Sequence, residues 1–484
     1  MKVRPTYDEV LGYSKDYKTI PLSIEFTYDI EPTEVLRKLK NVSSHVYMLE
    51  SCEDNNNWGR YTFLGYDPKA EVSCKNYDVT FIYNGVKKNI HDNPRPYVEK
   101  ILNEHKSPKL DYLPTFTGGL VGYFGYDYIK YSETSLNLDA HDDGNFKDID
   151  LMLFDKVIAF DNKENKIILI YNIQSEDLDR YHYAIDELKE MKDLIINGEM
   201  CPIEKPVLKS EIKPLFNQKE YGEMVNKAKY YIREGDIFQV VLSNRLEAEM
   251  EGSLYDTYLK LRKMNPSPYM FYFSSDDIEI AGASPETLVK LTDGTLYTYP
   301  LAGTRPRGKT KEEDEALEKD LLDDPKELSE HNMLVDLGRN DLGKISEFGS
   351  VHVDHYHNIL RFSHVMHIGS TISSTIRSDK NAIDAIDAVL PAGTLSGAPK
   401  IRAMEIINEL ENNRRGIYGG CIGYIDFTGN LDTCISIRIA YKKKGKVYVR
   451  SGAGIVADSD PVKEHIECIN KAKAVVKALS EEVE

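Results

Sequence analysis

The feature that most constrains the fold is a series of short apolar strands closed by tight polar turns. Between residues 269 and 299 the chain reads as an antiparallel meander, with turns at Ser274-Ser275-Asp276-Asp277 and Asp293-Gly294. Two apolar runs between 151 and 173 flank Asn162-Lys163-Glu164-Asn165, and runs at 423–427, 433–441 and 446–450 continue the pattern. A tight turn returns the chain beside itself, so such strands pair antiparallel; parallel neighbours need a long crossover. Helical patterns at 218–234 (stopped by Gly235), 325–337, 382–390 and from 461 lie between groups of strands. Ser253 is placed to cap another helix that ends before Asn265-Pro266, and the highly charged stretch 309–324 reads as mobile surface. The pattern predicts an α+β sandwich with helices outside, not a doubly wound parallel sheet.

A chain of 484 residues exceeds what one core usually supports, so two domains or one large merged domain are expected. Prolines 202, 206 and 214 mark the linker, dividing the chain into 1–205 and 215–484. No run approaches the ~18 apolar residues of a membrane span, and Met1-Lys2-Val3-Arg4-Pro5 lacks the apolar core of a signal peptide. Cysteines 52, 74, 201, 421, 434 and 468 form no C-x-x-C pair and read as reduced thiols of a cytoplasmic protein. A net charge of -18 argues against nucleic acid or anionic membrane as a general partner. An anionic substrate would therefore need a locally built cationic site.

One such site is offered by Pro300-Leu301-Ala302-Gly303-Thr304-Arg305-Pro306-Arg307-Gly308. Gly303 permits close backbone approach, Thr304 adds a hydroxyl, and Arg305 and Arg307 carry forks suited to carboxylates. Glu330 shares a helix face with Met333, Leu334 and Leu337 while Leu328 and Val335 lie opposite, which predicts a buried helix and a carboxylate in need of a cation. A structural ion pair and a metal fit that need equally well. Glu467 stands beside the apolar stripe of the last helix, four residues before Lys471, as an ion pair would require. Arg438 falls on the face of a 433–441 strand opposite its apolar positions, and Ser451-Gly452-Ala453-Gly454 reads as a short nest of amides or a bulge. Gly419-Gly420-Cys421-Ile422-Gly423 has the form of a glutaminase nucleophile turn, but the 43 residues from there to His465 cannot build the rest of that domain. Histidines 352, 355, 357, 364 and 367 crowd together, yet strand alternation splits them between faces, so zinc is disfavoured. Gly393-Thr394-Leu395-Ser396-Gly397-Ala398-Pro399-Lys400 does not space its glycines as a phosphate loop does.

Taken together these segments resemble the anthranilate synthase component I branch of the chorismate-utilising enzymes. The resemblance is carried by 300–308, by Glu330-His331-Asn332-Met333-Leu334-Val335-Asp336-Leu337-Gly338-Arg339-Asn340-Asp341, by Pro391 through Lys400, by Leu431-Asp432-Thr433-Cys434, and by 452–459. The first half matches more loosely, through Leu49-Glu50-Ser51, Gly59-Arg60-Tyr61 and Gly118-Gly119-Leu120-Val121-Gly122-Tyr123. The resemblance implies an α/β/β/α sandwich in which 215–484 binds chorismate and 1–205 carries part of a regulatory site. It implies conversion of chorismate and ammonia to anthranilate and pyruvate, with Glu286 as general acid and His367 tied to the elimination. Glu330 and Glu467 would hold Mg²⁺. Gly303, Thr304, Tyr418, Arg438 and Gly452-Ala453-Gly454 would bind chorismate. Ser51, Pro268, Tyr269 and Met270 would bind L-tryptophan as feedback inhibitor, with Glu50 or a backbone carbonyl for its ammonium group. Ammonia would come from a separate glutamine amidotransferase subunit in a heterotetramer. Water-adding relatives carry a lysine where Gln239 stands, and many aminodeoxychorismate synthases carry a nucleophilic lysine where Ala302 stands; both positions favour anthranilate as product.

Overall fold

Two antiparallel sheets organise the chain in a computed structural model that describes residues 2–51, 59–83, 85–362 and 365–480. Among these residues one sheet has 13 strands and the other 12. In each sheet a block of strands from the first half of the sequence is joined edge to edge with a block from the second half. Val46–Glu50 pairs with Tyr269–Ser274 in the larger sheet, and Gly119–Phe124 pairs with Cys421–Asp426 in the smaller.

Three apolar clusters define the layers. Phe63, Phe271, Phe273 and Tyr441 of the larger sheet meet Tyr123, Met152, Phe154 and Ile422 of the smaller in the core between the sheets. On the outer face of the larger sheet, Met270 and Tyr272 pack under helix residues Leu36, Leu188, Leu261 and Val475. The outer face of the smaller sheet, with Leu120, Leu151 and Leu291, packs under Ile101, Val335, Ile383 and Ile386. The alternation of Met270 and Tyr272 with Phe271 and Phe273 is the period of two that a strand buried on both faces needs. The expected sandwich of sheets with helices outside is therefore the observed one.

Several local expectations change. The charged stretch 309–324 contains a helix, Lys311–Leu322, capped by the Thr310 hydroxyl on the Glu313 amide. It is ordered because Leu317, Leu321 and Leu322 pack against Met366 and Ile368. The helix expected at 325–337 runs from Pro325 to Gly343 and buries only one face, so Glu330 is half-buried and Asn332 and Asp336 are exposed. Ser253 lies one residue outside the cap position of Tyr255–Met264, accepting from the Tyr255 amide at 3.1 Å. Residues 451–454 are not a nest. They belong to the strand Lys446–Ile455, where Gly452, Ala453 and Gly454 pair with Ser243, Leu242 and Val241.

The largest correction concerns 433–441. That run is two strands, Leu431–Ile435 in the smaller sheet and Ile439–Lys443 in the larger, joined by a crossover through Ser436, Ile437 and Arg438. Arg438 takes a left-handed conformation, φ 53°, to make the turn. Glu279–Ser284 and Thr287–Thr292 make the same change of sheet through Pro285 and Glu286. The two crossovers lie side by side, because Gly282 pairs with Ile439 and Thr287 with Cys434.

Candidate active site

The paired crossovers put Glu286 and Arg438 next to each other at the seam between the sheets. Ser284 Oγ–H donates to the Ile435 carbonyl at 2.7 Å, and the Ile435 amide donates to the Glu286 carbonyl at 2.9 Å. The side chain of Glu286 accepts from the Thr394 hydroxyl at 3.1 Å. Burial pushes its carboxyl up to about 7, against the opposing pull of Thr394, Arg438 and Lys471. The same burial lowers the affinity of Arg438 for its proton, while Glu286 favours its charged form. The Arg438 guanidinium makes no hydrogen bond or ion pair among the described residues. A largely buried cation without a partner is a ready acceptor for an anionic group.

His367 approaches from the strand Val365–Thr375. Its partner strand, Leu301–Pro306, slips register between Ala302 and Arg305, so Gly303 and Thr304 together face His367. His367 Nδ1–H donates to the Gly303 carbonyl at 2.8 Å and lies 3.1 Å from Thr304 Oγ1. This bond leaves Nε2 as the bare nitrogen. Burial holds the imidazole below its ordinary pKa; the Gly303 carbonyl opposes that shift and nearby Arg438 adds to it. Gly303 has φ +68°, and a Cβ there would lie 2.9 Å from Leu321 and 3.2 Å from the Glu327 carboxylate. Only glycine fits that bulge.

Tyr418 is 3% exposed and sits under the glycine strand, with its hydroxyl 3.1 Å from where a Gly452 Cβ would be. The Gly419 amide donates to the Ser436 carbonyl at 3.0 Å and the Ser436 amide to the Gly420 carbonyl at 2.9 Å, which ties the Tyr418 turn to the Arg438 crossover. Pairing to Ile439–Lys443 ends at Val449, and among the described residues 451–455 pair only with the strand Gln239–Glu251. Sequence reasoning missed the buried polar frame behind this wall. Arg415 donates to the carbonyls of Leu395 and Val241 and to Glu411, and Glu411 also accepts from Ser243 and Arg450. The frame fixes Leu395, and with it Thr394. The only sequence signal for Thr394 was a hydroxyl inside the glycine loop.

The carboxylates expected at the metal, Glu330 and Glu467, lie on the second turns of the helices Pro325–Gly343 and Pro461–Ser480. Glu330 accepts from the side-chain Nε2 of Gln239 at 3.5 Å. Glu467 is half exposed and pairs with Lys471 at 2.8 Å, the i,i+4 contact its spacing allowed. Among the described residues no three His, Cys, Asp or Glu side chains already converge as a metal cluster. Glu327 and Glu464 extend the acidic surface. Burial and then the Glu330 charge raise the Glu327 pKa. Burial also raises that of Glu464, which a Ser459 hydrogen bond opposes and the Glu467 charge reinforces. Mutually repelling oxygen donors of this kind fit a hard divalent cation such as Mg²⁺.

A separate cavity, about 300 Å³, opens between the sheets and brings together Ser51, Pro268, Tyr269 and Met270. Glu50 lines it but is already held by Arg262, at 2.8 Å, and by the Tyr258 hydroxyl. It is not free for an ammonium group. Cys421 is fully buried in a strand, where burial pushes its thiol up to about 12, so it is no nucleophile. His364 and Cys52 lie outside the described residues. No helix among the described residues is long and apolar enough to cross a membrane.

The fold and the seam site define a chorismate-binding enzyme: the chain belongs to that family, whose model it matches over residues 25–477. Along its whole length it is similar to anthranilate synthase component 1 proteins. The one from Acetivibrio thermocellus is 46% identical, covering 99% of this chain and 98% of the relative. That of Aquifex aeolicus (strain VF5) is 41% identical over the same shares. The crystal structure of anthranilate synthase component I from Streptococcus pneumoniae TIGR4 superposes with a TM-score of 0.75 at 38% identity, covering 87% of this chain and 93% of that one.

Proposed function

We propose that this chain is the large subunit of an anthranilate synthase, converting chorismate and ammonia to anthranilate and pyruvate through 2-amino-2-deoxyisochorismate. The observation that carries this is Glu286, a carboxyl with its pKa near 7 facing unpartnered Arg438, with His367 in electrostatic reach of the same guanidinium. Hydroxide is a poor leaving group, so loss of the ring C4 hydroxyl needs a protonated acid beside it, and Glu286 is that acid. Arg438, Tyr418 and the 452–454 backbone hold the enolpyruvyl carboxylate, and Gly303 and Thr304 close the pocket. His367, kept neutral and oriented through Nδ1, takes up a proton at Nε2 during elimination of pyruvate. Glu330 and Glu467 hold Mg²⁺, which when bound supplies positive charge to the ring carboxylate.

Ammonia is already a nucleophile when neutral, so Gln239 need not be a base, and Ala302 offers no amine for a covalent intermediate. A glutamine amidotransferase subunit supplies the ammonia in a cytoplasmic heterotetramer. Region 215–484 carries the chemistry, and 1–205 contributes Ser51 to a tryptophan site completed by Pro268, Tyr269 and Met270. A backbone carbonyl there receives the tryptophan ammonium group. Tyr269 pairs with Ser284, two residues from Glu286, which supports coupling between the sites.

The test is the full chain with chorismate, Mg²⁺ and an ammonium salt at mildly alkaline pH. Fluorescent anthranilate and pyruvate are expected in equal amounts. Accumulation of 4-amino-4-deoxychorismate would instead identify an aminodeoxychorismate synthase.

A further inference from the structure

Arg305 and Arg307 stand in the same cationic stretch, but their surroundings differ. Arg307 grips Asp314, with Nη2 at 2.9 Å, and donates to the Phe362 carbonyl at 2.8 Å, away from the seam. Arg305 spreads one guanidinium over two elements of the site. Its Nη1 donates to the Thr304 carbonyl at 3.1 Å, while the Thr304 hydroxyl lies against His367. Its Nη2 donates to Asp324 Oδ2 at 3.0 Å and its Nε to Asp320 at 2.6 Å. Asp324 is the N-cap of the helix that carries Glu330, and its other oxygen accepts from the amides of Lys326 and Glu327. Nη1 also lies 3.6 Å from the Glu327 carboxylate, one turn before Glu330.

We infer that Arg305 is a positioning residue: it locks the first turn of the Glu330 helix to the Gly303-Thr304 bulge and thereby sets the metal-facing carboxylates. The inference rests on the metal role proposed above for Glu330. A planar fork with several fixed donors can hold the Thr304 carbonyl and two carboxylates at once, whereas a lysine ammonium cannot span all three. The Asp324 cap, Glu327 and the substrate bulge then move as one body, so loosening the fork frees the carboxylates of the helix to point elsewhere.

The experiment follows Mn²⁺ binding by electron paramagnetic resonance on the full chain, with chorismate present and no nitrogen source. Thermal melting is recorded in parallel for wild type, Arg305→Ala, Arg305→Lys and Glu330→Gln. Outer groups that orient metal ligands typically contribute 10–100-fold to affinity, so Arg305→Ala is expected to weaken Mn²⁺ by about 10-fold or more and Arg305→Lys by less. In Mg²⁺-dependent turnover, the concentration for half-activation should rise by more than kcat falls at saturating metal. A purely structural anchor would lower the melting temperature and leave metal affinity at the wild-type value. That result in Arg305→Ala, or in Arg305→Lys if the alanine variant does not fold, overturns the inference. Wild-type affinity in Glu330→Gln would instead refute the metal site itself, whereas weakened binding there with unchanged Arg305 variants refutes only the positioning role.

Discussion

Replacing Glu286 by glutamine should stabilise the protein at alkaline pH while abolishing turnover. Its carboxyl sits at about 7 rather than the ordinary 4.5 because burial outweighs the hydrogen bond and the nearby cations. Between those two values the folded protein keeps a proton that the unfolded chain has already released. Stability therefore falls as pH rises from 4.5 to about 7 and stays at the lower level above it. At about 1.4 kcal/mol for each tenfold change in proton affinity, the full loss is about 3 kcal/mol. Glutamine has a similar shape and still accepts from Thr394, but it carries no charge to desolvate. The gain should be nearly complete at pH 8 and below about 1 kcal/mol at pH 5. An unfolding entropy of about 2 cal/mol/K per residue gives about 1 kcal/mol/K for this chain, so the melting temperature should rise by about 3 °C at pH 8. Scanning calorimetry of both proteins at the two pH values isolates the effect as a difference of differences. An equal offset at pH 5 and pH 8, or a glutamine variant less stable at pH 8, refutes the assignment of a desolvated acid at 286.

Two further outcomes follow from the same seam. Arg438→Gln should raise the KM for chorismate by about 10- to 100-fold, the range for losing charge-assisted hydrogen bonds to a carboxylate. Its melting temperature should not drop, since the guanidinium has no internal partner among the described residues; an unchanged KM would remove Arg438 from the binding site. Thr394→Val takes away the hydroxyl that favours the ionised Glu286, so the alkaline limb of kcat should move up from about 7. A displacement of about one pH unit matches roughly 1.4 kcal/mol for one hydrogen bond. The profile is measured at constant free ammonia, and a limb that stays put or moves down contradicts the hydrogen bond's role.

Local chemistry was legible wherever a few neighbouring residues decide the outcome. Gly235 with φ +85° ends the Gln218–Glu234 helix where expected, and the Asn162–Asn165 turn joins Lys156–Asp161 to Lys166–Gln174. Antiparallel pairing and outer helices followed from turns too short for any other connection. The segments that resemble chorismate-utilising enzymes could also be read without coordinates. What could not be read was which strand lies in which sheet. The run 433–441 has unbroken strand propensity, and only the stacking of two sheets makes the chain cross at Arg438 and, beside it, at Glu286. Burial is likewise a property of the assembled layers: the acid at about 7 and the unpartnered arginine exist because two sheets close over them. The roles of Arg305 and Arg307 separated for the same reason. Their spacing in sequence is alike, and only tertiary packing set one against the Glu330 helix and the other against the outer hairpin.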